Sequence, residues 1–207
     1  MSNDYPFDTF GLELDEIACF SNTFEKLKTK FQANFKDDSD FSLKEFAAFR
    51  ACTGVKIGYW IDLNARSENT SITFTSVGYT YSAGRGGAYC GREYQTWGIM
   101  AMQKDVGDIF IRQETLADKV IELIKPIELD FEDDLEFSEK FYVIASDKDK
   151  ASLAMNASFR KTILEIPLSD IEIEISNKAL IIGNHKRVDP ESTFHIAEFL
   201  DKISVIF

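Results

Sequence analysis

Only two histidines, His185 and His195, stand in the chain of 207 residues, so imidazole chemistry has to come from them. His185 closes the last predicted hairpin, His195 lies early in the last predicted helix, and Asp189 falls between, so the two rings can approach one another. A metal site would need a third ligand in a recognisable register, and none stands there. Both histidines are therefore expected to be exposed and structurally ordinary. Lys186-Arg187 is too short a basic run to grip a nucleic acid. The cysteines are odd in number, and no Cys-x-x-Cys or Cys/His spacing joins Cys19, Cys52 and Cys90. They are expected to be reduced thiols, with Cys19 and Cys52 acting as small core hydrophobes on helices.

Acid–base and nucleophilic signatures are equally sparse. No serine sits in a G-x-S-x-G elbow and no acidic pair has a distinctive spacing, although scattered Asp, Ser and Tyr residues can still meet in space. Gly84-Arg85-Gly86-Gly87 is the one glycine cluster. Phosphate-cradling loops place such glycines before a helix, whereas Glu93 to Met102 reads as another strand, so a hairpin loop is expected. Asp37 to Phe46 resembles the second half of a calcium-binding EF-hand loop. With Glu45 as its last ligand, however, Asn34, Lys36 and Ser39 would fill places that need acidic ligands and a glycine, and lysine excludes calcium. The expectation is no catalytic residue, no metal and no cofactor.

One feature suits recognition. Asp130, Glu132, Asp133, Asp134, Glu136 and Glu139 form an acidic block that can hold a divalent cation or a basic partner, or serve as solvated capping groups. The chain carries a net charge of -12, and residues 113–140, with three basic and ten acidic side chains, account for -7 of it. Such a surface repels phosphate backbones and anionic lipid, which argues against nucleic acid and membrane as partners.

The elements that would carry these residues follow from hydrophobic period. Ile17, Phe20, Phe24, Leu27 and Phe31 share one face of a helix predicted from Leu14 to Phe35. Asp37 to Asp40 would end it with solvated charge. Ser42 and Glu45 then form a capping box, with Phe41 and Phe46 as a hydrophobic staple, so a second helix is expected there, stopped by Gly54 in a left-handed conformation. Val55, Ile57, Tyr59, Ile61 and Leu63 alternate with polar or small residues, the clearest strand of the chain. After a polar loop from Asn64 to Asn69, Ile72 and Phe74 alternate, and the phase slips near Ser76 and Val77, which predicts a β-bulge.

Ile109 and Ile111 mark a short strand, and Leu116, Val120, Leu123 and Ile124 a helix that Pro126 ends. Ile127, Leu129 and Phe131 lead into the acidic block, and Phe141 to Ala145 is an apolar strand. Ala151, Met155, Phe159 and Ile163 give a helical face interrupted near Asn156. Ile171, Ile173 and Ile175 alternate with Glu172 and Glu174, Asn177-Lys178 turns the chain, and Ala179 to Ile182 returns. Asp189 caps a last helix with Pro190 at its first position and Ile196, Phe199, Leu200, Ile203 and Phe207 as its buried stripe. Tyr79, Tyr81, Tyr89, Tyr94, Trp97 and Phe110 are expected mainly in the core.

Tyr79-x-Tyr81, Gln95-Thr96, Asp108-Ile-Phe-Ile-Arg112 with Glu114, Leu129-Asp-Phe131, Phe137-Ser138-x-x-Phe141 and the Asn177 hairpin resemble a broad group of uncharacterised bacterial proteins, over roughly Val55 to Gly183. The resemblance implies no activity for any named residue. Members of that group often carry membrane-spanning or anchoring segments. This chain shows no apolar run of that length and no signal-like start at Met-Ser-Asn-Asp, so a cytoplasmic setting is expected.

Taken as a whole, the pattern predicts an α+β fold, a largely antiparallel sheet with helices packed on one face, in a single domain spanning 1–207. Residues 1–54 would be a helical N-terminal segment and 55–207 the sheet with its covering helices, disorder being confined to Met1 to Asp4. The expected function is a non-enzymatic interaction protein whose acidic block contacts a basic protein partner. The alternative is a small-molecule binder or hydrolase with a pocket between the sheet and the Ala151 to Ile163 helices.

Overall fold

The alternating segments do become strands, and every pairing between them is antiparallel. A computed structural model describes residues 5–36, 40–64, 69–82, 88–113 and 127–207. Its strands are β1 (Asn34–Lys36), β2 (Gly54–Leu63), β3 (Thr70–Ser82), β4 (Ala88–Ala101), β5 (Ile109–Gln113), β6 (Ile127–Glu128), β7 (Phe141–Ala145), β8 (Glu172–Ser176) and β9 (Ala179–Arg187). They lie in the order β1-β2-β3-β4-β9-β8-β5-β7-β6 within one sheet. The helices are α1 (Leu14–Phe31), α2 (Leu135–Lys140), α3 (Lys148–Ala154), α4 (Ala157–Leu164) and α5 (Pro190–Ile203).

All five helices turn their apolar residues onto one face of the sheet. Phe20 and Leu27 of α1, Phe137 of α2, Ala151 of α3, Phe159 of α4 and Ile196 of α5 share one buried cluster with Ile72, Phe74, Ile111 and Ile173. The fold is therefore α+β, as the hydrophobic pattern predicts. Asp189 caps α5 by accepting from the Ser192 amide, with Pro190 behind it, and Asn156 caps α4 through the Phe159 amide. Gly98 lets α5 lie close on β4, since a Cβ there would fall 2.7 Å from Ile196 and 2.9 Å from Ile182 and Leu200.

The opposite face carries a second, smaller cluster: Trp60, Val77, Trp97, Ile99 and Ile181 covered by Leu43, Phe46, Ala48 and Phe49. The expected helix after Ser42 does not form. Two single 3-10 turns, Leu43–Glu45 and Ala47–Phe49, flank an extended Phe46, and Ser42 makes no side-chain cap. Leu43, Phe46 and Phe49 recur every three residues, the period of such turns, and all three point into the cluster. The staple contact survives, with the Phe41 and Phe46 rings 5.8 Å apart. Gly54 opens β2 instead of closing a helix. The N-terminal segment is likewise not purely helical, because Gln32, left-handed at φ 50°, ends α1 early and β1 joins the sheet.

The bulge also moves. The β3–β4 pairing runs without a break, and the register shift lies in β2 between Ile57 and Tyr59. Val55 and Ile57 therefore pack on the second cluster and Tyr59, Ile61 and Leu63 on the first. The unbroken odd-numbered alternation conceals a change of face, because Gly58 is the extra residue. In β3 nothing slips: Ile72 and Phe74 serve one core, Val77 and Tyr79 the other.

The predicted helix at Leu116 to Ile124 with its Pro126 stop, the glycine loop at Gly84 to Gly87, Glu114, Met1 to Asp4, and most of the stretches Asp37 to Asp40 and Asn64 to Asn69 lie outside the described residues. So do the side chains of Tyr81 and Tyr89. No helix among the described residues is long and apolar enough to cross a membrane.

Candidate functional site

The acidic block folds as one turn, and its geometry begins with an arginine that the sequence did not single out. Arg160 of α4 is buried, its side chain 6% exposed, and a guanidinium in that position requires partners on every donor it can offer. Its Nε donates to Asp134 at 2.9 Å, its Nη2 to Asp133 at 2.6 Å and its Nη1 to the Met155 carbonyl at 2.9 Å. The guanidinium carbon also lies 4.7 Å over the Phe131 ring. Asp134 has a second task, capping α2 by accepting from the Phe137 amide at 3.2 Å. Leu129 and Phe131 are buried and anchor the strand end, while Ser138 accepts from the Phe131 amide at 3.0 Å.

The six predicted carboxylates are thus brought together but divided. Asp133 and Asp134 are committed to Arg160, whereas Asp130, Glu132, Glu136 and Glu139 face solvent, Glu136 sharing Lys140 at 2.7 Å. Leu135 stands among them, largely exposed. The result is a turn held on Arg160 that leaves four carboxylates and one apolar side chain exposed.

The histidines differ from expectation. Neither is fully exposed, and the sheet separates them: His185 meets Trp97 of the second cluster edge-on at 5.0 Å between ring centres, while His195 rides on α5 over the first. Each is held by a carboxylate, His185 Nε2 by Glu172 at 2.7 Å and His195 Nδ1 by Glu198 at 3.2 Å. Among the described residues no group of three His, Cys, Asp or Glu side chains is placed to hold a metal ion.

Around His185 lies a polar network that alternation alone did not reveal. Glu172 and Glu174 are both buried, not solvent-facing. Glu174 accepts from the amides of Ala47 at 2.9 Å and Ala48 at 3.2 Å and so pins the second 3-10 turn to the sheet. Burial pushes its carboxyl above the ordinary range, against the pull of those two donors. Buried Gln95 shares its two Nε2 hydrogens among the Tyr79 hydroxyl, Glu93 at 2.8 Å and the His185 carbonyl at 3.1 Å, and accepts from Trp97 Nε1 at 3.2 Å. With Glu174 on the Ala47 and Ala48 amides, these bonds fasten the sheet to the turns. A clue was present in the sequence: Ala179 to Ile182, the hairpin partner of β8, is apolar on both faces, which marks its neighbour as covered on both faces too.

Cavities lie at the margins. The inner faces of α3 and α4 are filled, Ala151, Met155, Phe159 and Ile163 being fully buried. A cavity of about 530 Å³ opens beyond α4, beside Phe141, Leu164 and Ile166. Another, of about 520 Å³, lies at the β1 edge against Phe7, Phe35, Tyr59 and Trp60, with Lys36 and Lys56 on its wall. Burial, followed by the neighbouring Tyr94 and Asp8, pushes the Tyr59 phenol up to about 12. Cys19, Cys52 and Cys90 are not joined in disulfides; Cys19 on α1 donates to the Val188 carbonyl at 3.1 Å, and Cys52 follows the 3-10 turns instead of lying on a helix.

Comparison with protein-family models, curated proteins and solved structures finds no match to this chain.

Proposed function

We propose that the chain is a non-enzymatic binding protein that recognises a basic protein partner through the acidic turn between β6 and α2. The observation that carries this reading is the division of labour within the turn. Asp133 and Asp134 hold it on Arg160, and Asp130, Glu132, Glu136 and Glu139 are left exposed together with Leu135. A turn already held in place loses little further freedom on binding, so its charges and its one apolar side chain are presented in fixed relation. Exposed carboxylates speed encounter with a basic surface, and the exposed leucine supplies contact area. The net charge of -12 disfavours nucleic acid and anionic membrane as targets. A cytoplasmic bacterial setting accords with the free thiols.

The test uses the full chain immobilised beside its D130N/E132Q/E136Q/E139Q variant and exposed to native lysate. A partner is expected on the wild type at about 50 mM salt, released towards about 500 mM as charges are screened, and absent from the variant. Equal retention by both proteins, retention unaffected by salt, or no protein specific to the wild type overturns the proposal.

A further inference from the structure

The opposite edge of the sheet carries an exposed aromatic turn beside an aromatic-lined hollow. Residues 8–12 form a tight turn: the Leu12 amide donates to the Thr9 carbonyl at 3.2 Å, and Gly11 takes the left-handed conformation, φ 77°, that the third position of such a turn requires. Three further bonds fasten it. Asp8 accepts from the Phe10 amide at 2.9 Å, Arg92 of β4 donates to the Gly11 carbonyl at 3.2 Å, and the Tyr59 hydroxyl of β2 donates to the Asp8 carbonyl at 2.5 Å. The side chain displayed by this turn is Phe10, which is 92% exposed, and exposed Leu14 opens α1 four residues later in the chain. A lone exposed apolar residue needs no explanation, but a phenylalanine on a turn held by four hydrogen bonds is a preformed anchor.

The hollow is the cavity of about 520 Å³ at β1, within the usual range of ligand pockets of roughly 300–1,000 Å³. Rings of Phe7, Phe35, Tyr59 and Trp60 line it, and Lys36 and Lys56 stand at its wall. Among the described residues β1 pairs with β2 as far as Lys36 opposite Trp60, and no strand of theirs covers the Gly54 to Tyr59 stretch of β2 on that side. Of the two lysines, Lys36 is already paired with Asp62 at 3.4 Å and Lys56 is exposed, while Asp8, Glu13, Asp15 and Glu16 lie within six residues of Phe10 in the chain. Asp8 belongs to both, lining the hollow with its neighbours while its carboxylate holds the turn. Turn and hollow therefore occupy one patch, the condition for a two-fold interface in which the same surface serves both copies.

We propose that two copies of this chain associate through the β1 edge, the Phe10 turn of each seated in the aromatic, lysine-walled hollow of the other. The carboxylates near Phe10 in the chain oppose insertion into anionic lipid and are opposite in charge to the exposed Lys56 of a second copy. The proposal is independent of the acidic turn, which lies at the β6 edge.

Sedimentation velocity of the full chain from about 1 to 200 µM, with F10D and K56E alongside, decides the matter. The wild type is expected to pass from monomer to dimer, with the Trp60 emission changing as it does, and each variant to weaken association at least about tenfold. Both side chains are exposed, so unchanged far-UV circular dichroism is expected and separates lost association from lost folding. A wild type monomeric throughout, a dimer indifferent to F10D, or species that grow beyond two copies overturns the proposal.

Discussion

Replacing Arg160 with methionine tests whether the acidic turn is held from within. The substitution keeps an apolar stem and removes every bond of the guanidinium. Its bond to Asp134, whose side chain is only 21% exposed, is charge-assisted and contributes about 1.5–3 kcal/mol. The bond to the Met155 carbonyl adds about 1 kcal/mol and the contact with the Phe131 ring about 0.5–1 kcal/mol. Asp133 is 72% exposed, so despite the shorter distance its share is discounted to about 0–1 kcal/mol. R160M is therefore expected to lose about 3–6 kcal/mol in urea unfolding, a large part of the roughly 5–15 kcal/mol that a domain possesses. A double-mutant cycle separates the two aspartates, with D134N chosen because asparagine still caps α2. The Arg160–Asp134 coupling should reach about 2 kcal/mol and the Arg160–Asp133 coupling stay under about 0.5 kcal/mol. Asp133 coupling as strong as Asp134, or R160M costing under about 1 kcal/mol, refutes the reasoning. R160M should also weaken partner capture, although every exposed carboxylate of the turn is retained.

Other expectations follow from the same geometry. Glu174 has its folded value raised above the ordinary 4.5, so the native state keeps a proton that the unfolded chain has lost. Its contribution is full below that value and falls as pH rises through the folded one; wild type should lose stability relative to E174Q as pH rises above about 4.5, and a difference independent of pH counts against the burial argument. Asp170, held low chiefly by its hydrogen bond to Lys186, and Glu198, held low chiefly by Lys30, act in the opposite sense. Their contributions stand above their ordinary values and vanish as pH falls through the lowered ones, so K186M and K30M should flatten the acid limb of the unfolding profile. G98A should cost about 1–3 kcal/mol, because its methyl group would press on Ile196, Ile182 and Leu200; a neutral effect would show that α5 can shift. In ultraviolet titration one tyrosine absent from Y59F should ionise near 12, and an ordinary value would contradict the burial of Tyr59.

The sequence disclosed this fold unevenly, and the reasons are local. Strands with one solvated face, and helices with complete caps such as Asp189-Pro190, announce themselves because each position answers to one requirement. β2 misleads because Gly58 adds one residue just where the apolar set changes face, so two half-patterns join into one apparent alternation. Glu172 and Glu174 mislead because alternation reports polarity, not exposure, and the 3-10 turns that cover them come from a segment more than a hundred residues earlier. The acidic turn was legible in position but not in structure. Six carboxylates are visible in the sequence, yet the arginine that divides them lies on α4, and nothing about Ala157-Ser158-Phe159-Arg160 marks it as facing inward.

The two proposed surfaces sit at opposite ends of the strand order, eight strand spacings apart, or about 38 Å along the sheet at roughly 4.8 Å each. Neither need obstruct the other, and association at the β1 edge would place two acidic turns on one particle. A partner with two basic sites would then be held by both turns, its second contact made at raised effective concentration. On a surface dense in immobilised partner, F10D should therefore shorten residence severalfold. With the partner in solution as single copies, the same variant should bind each acidic turn as the wild type does. Equal loss in both formats would mean that Phe10 contacts the partner itself. No loss in either would mean that pairing of copies plays no part in recognition.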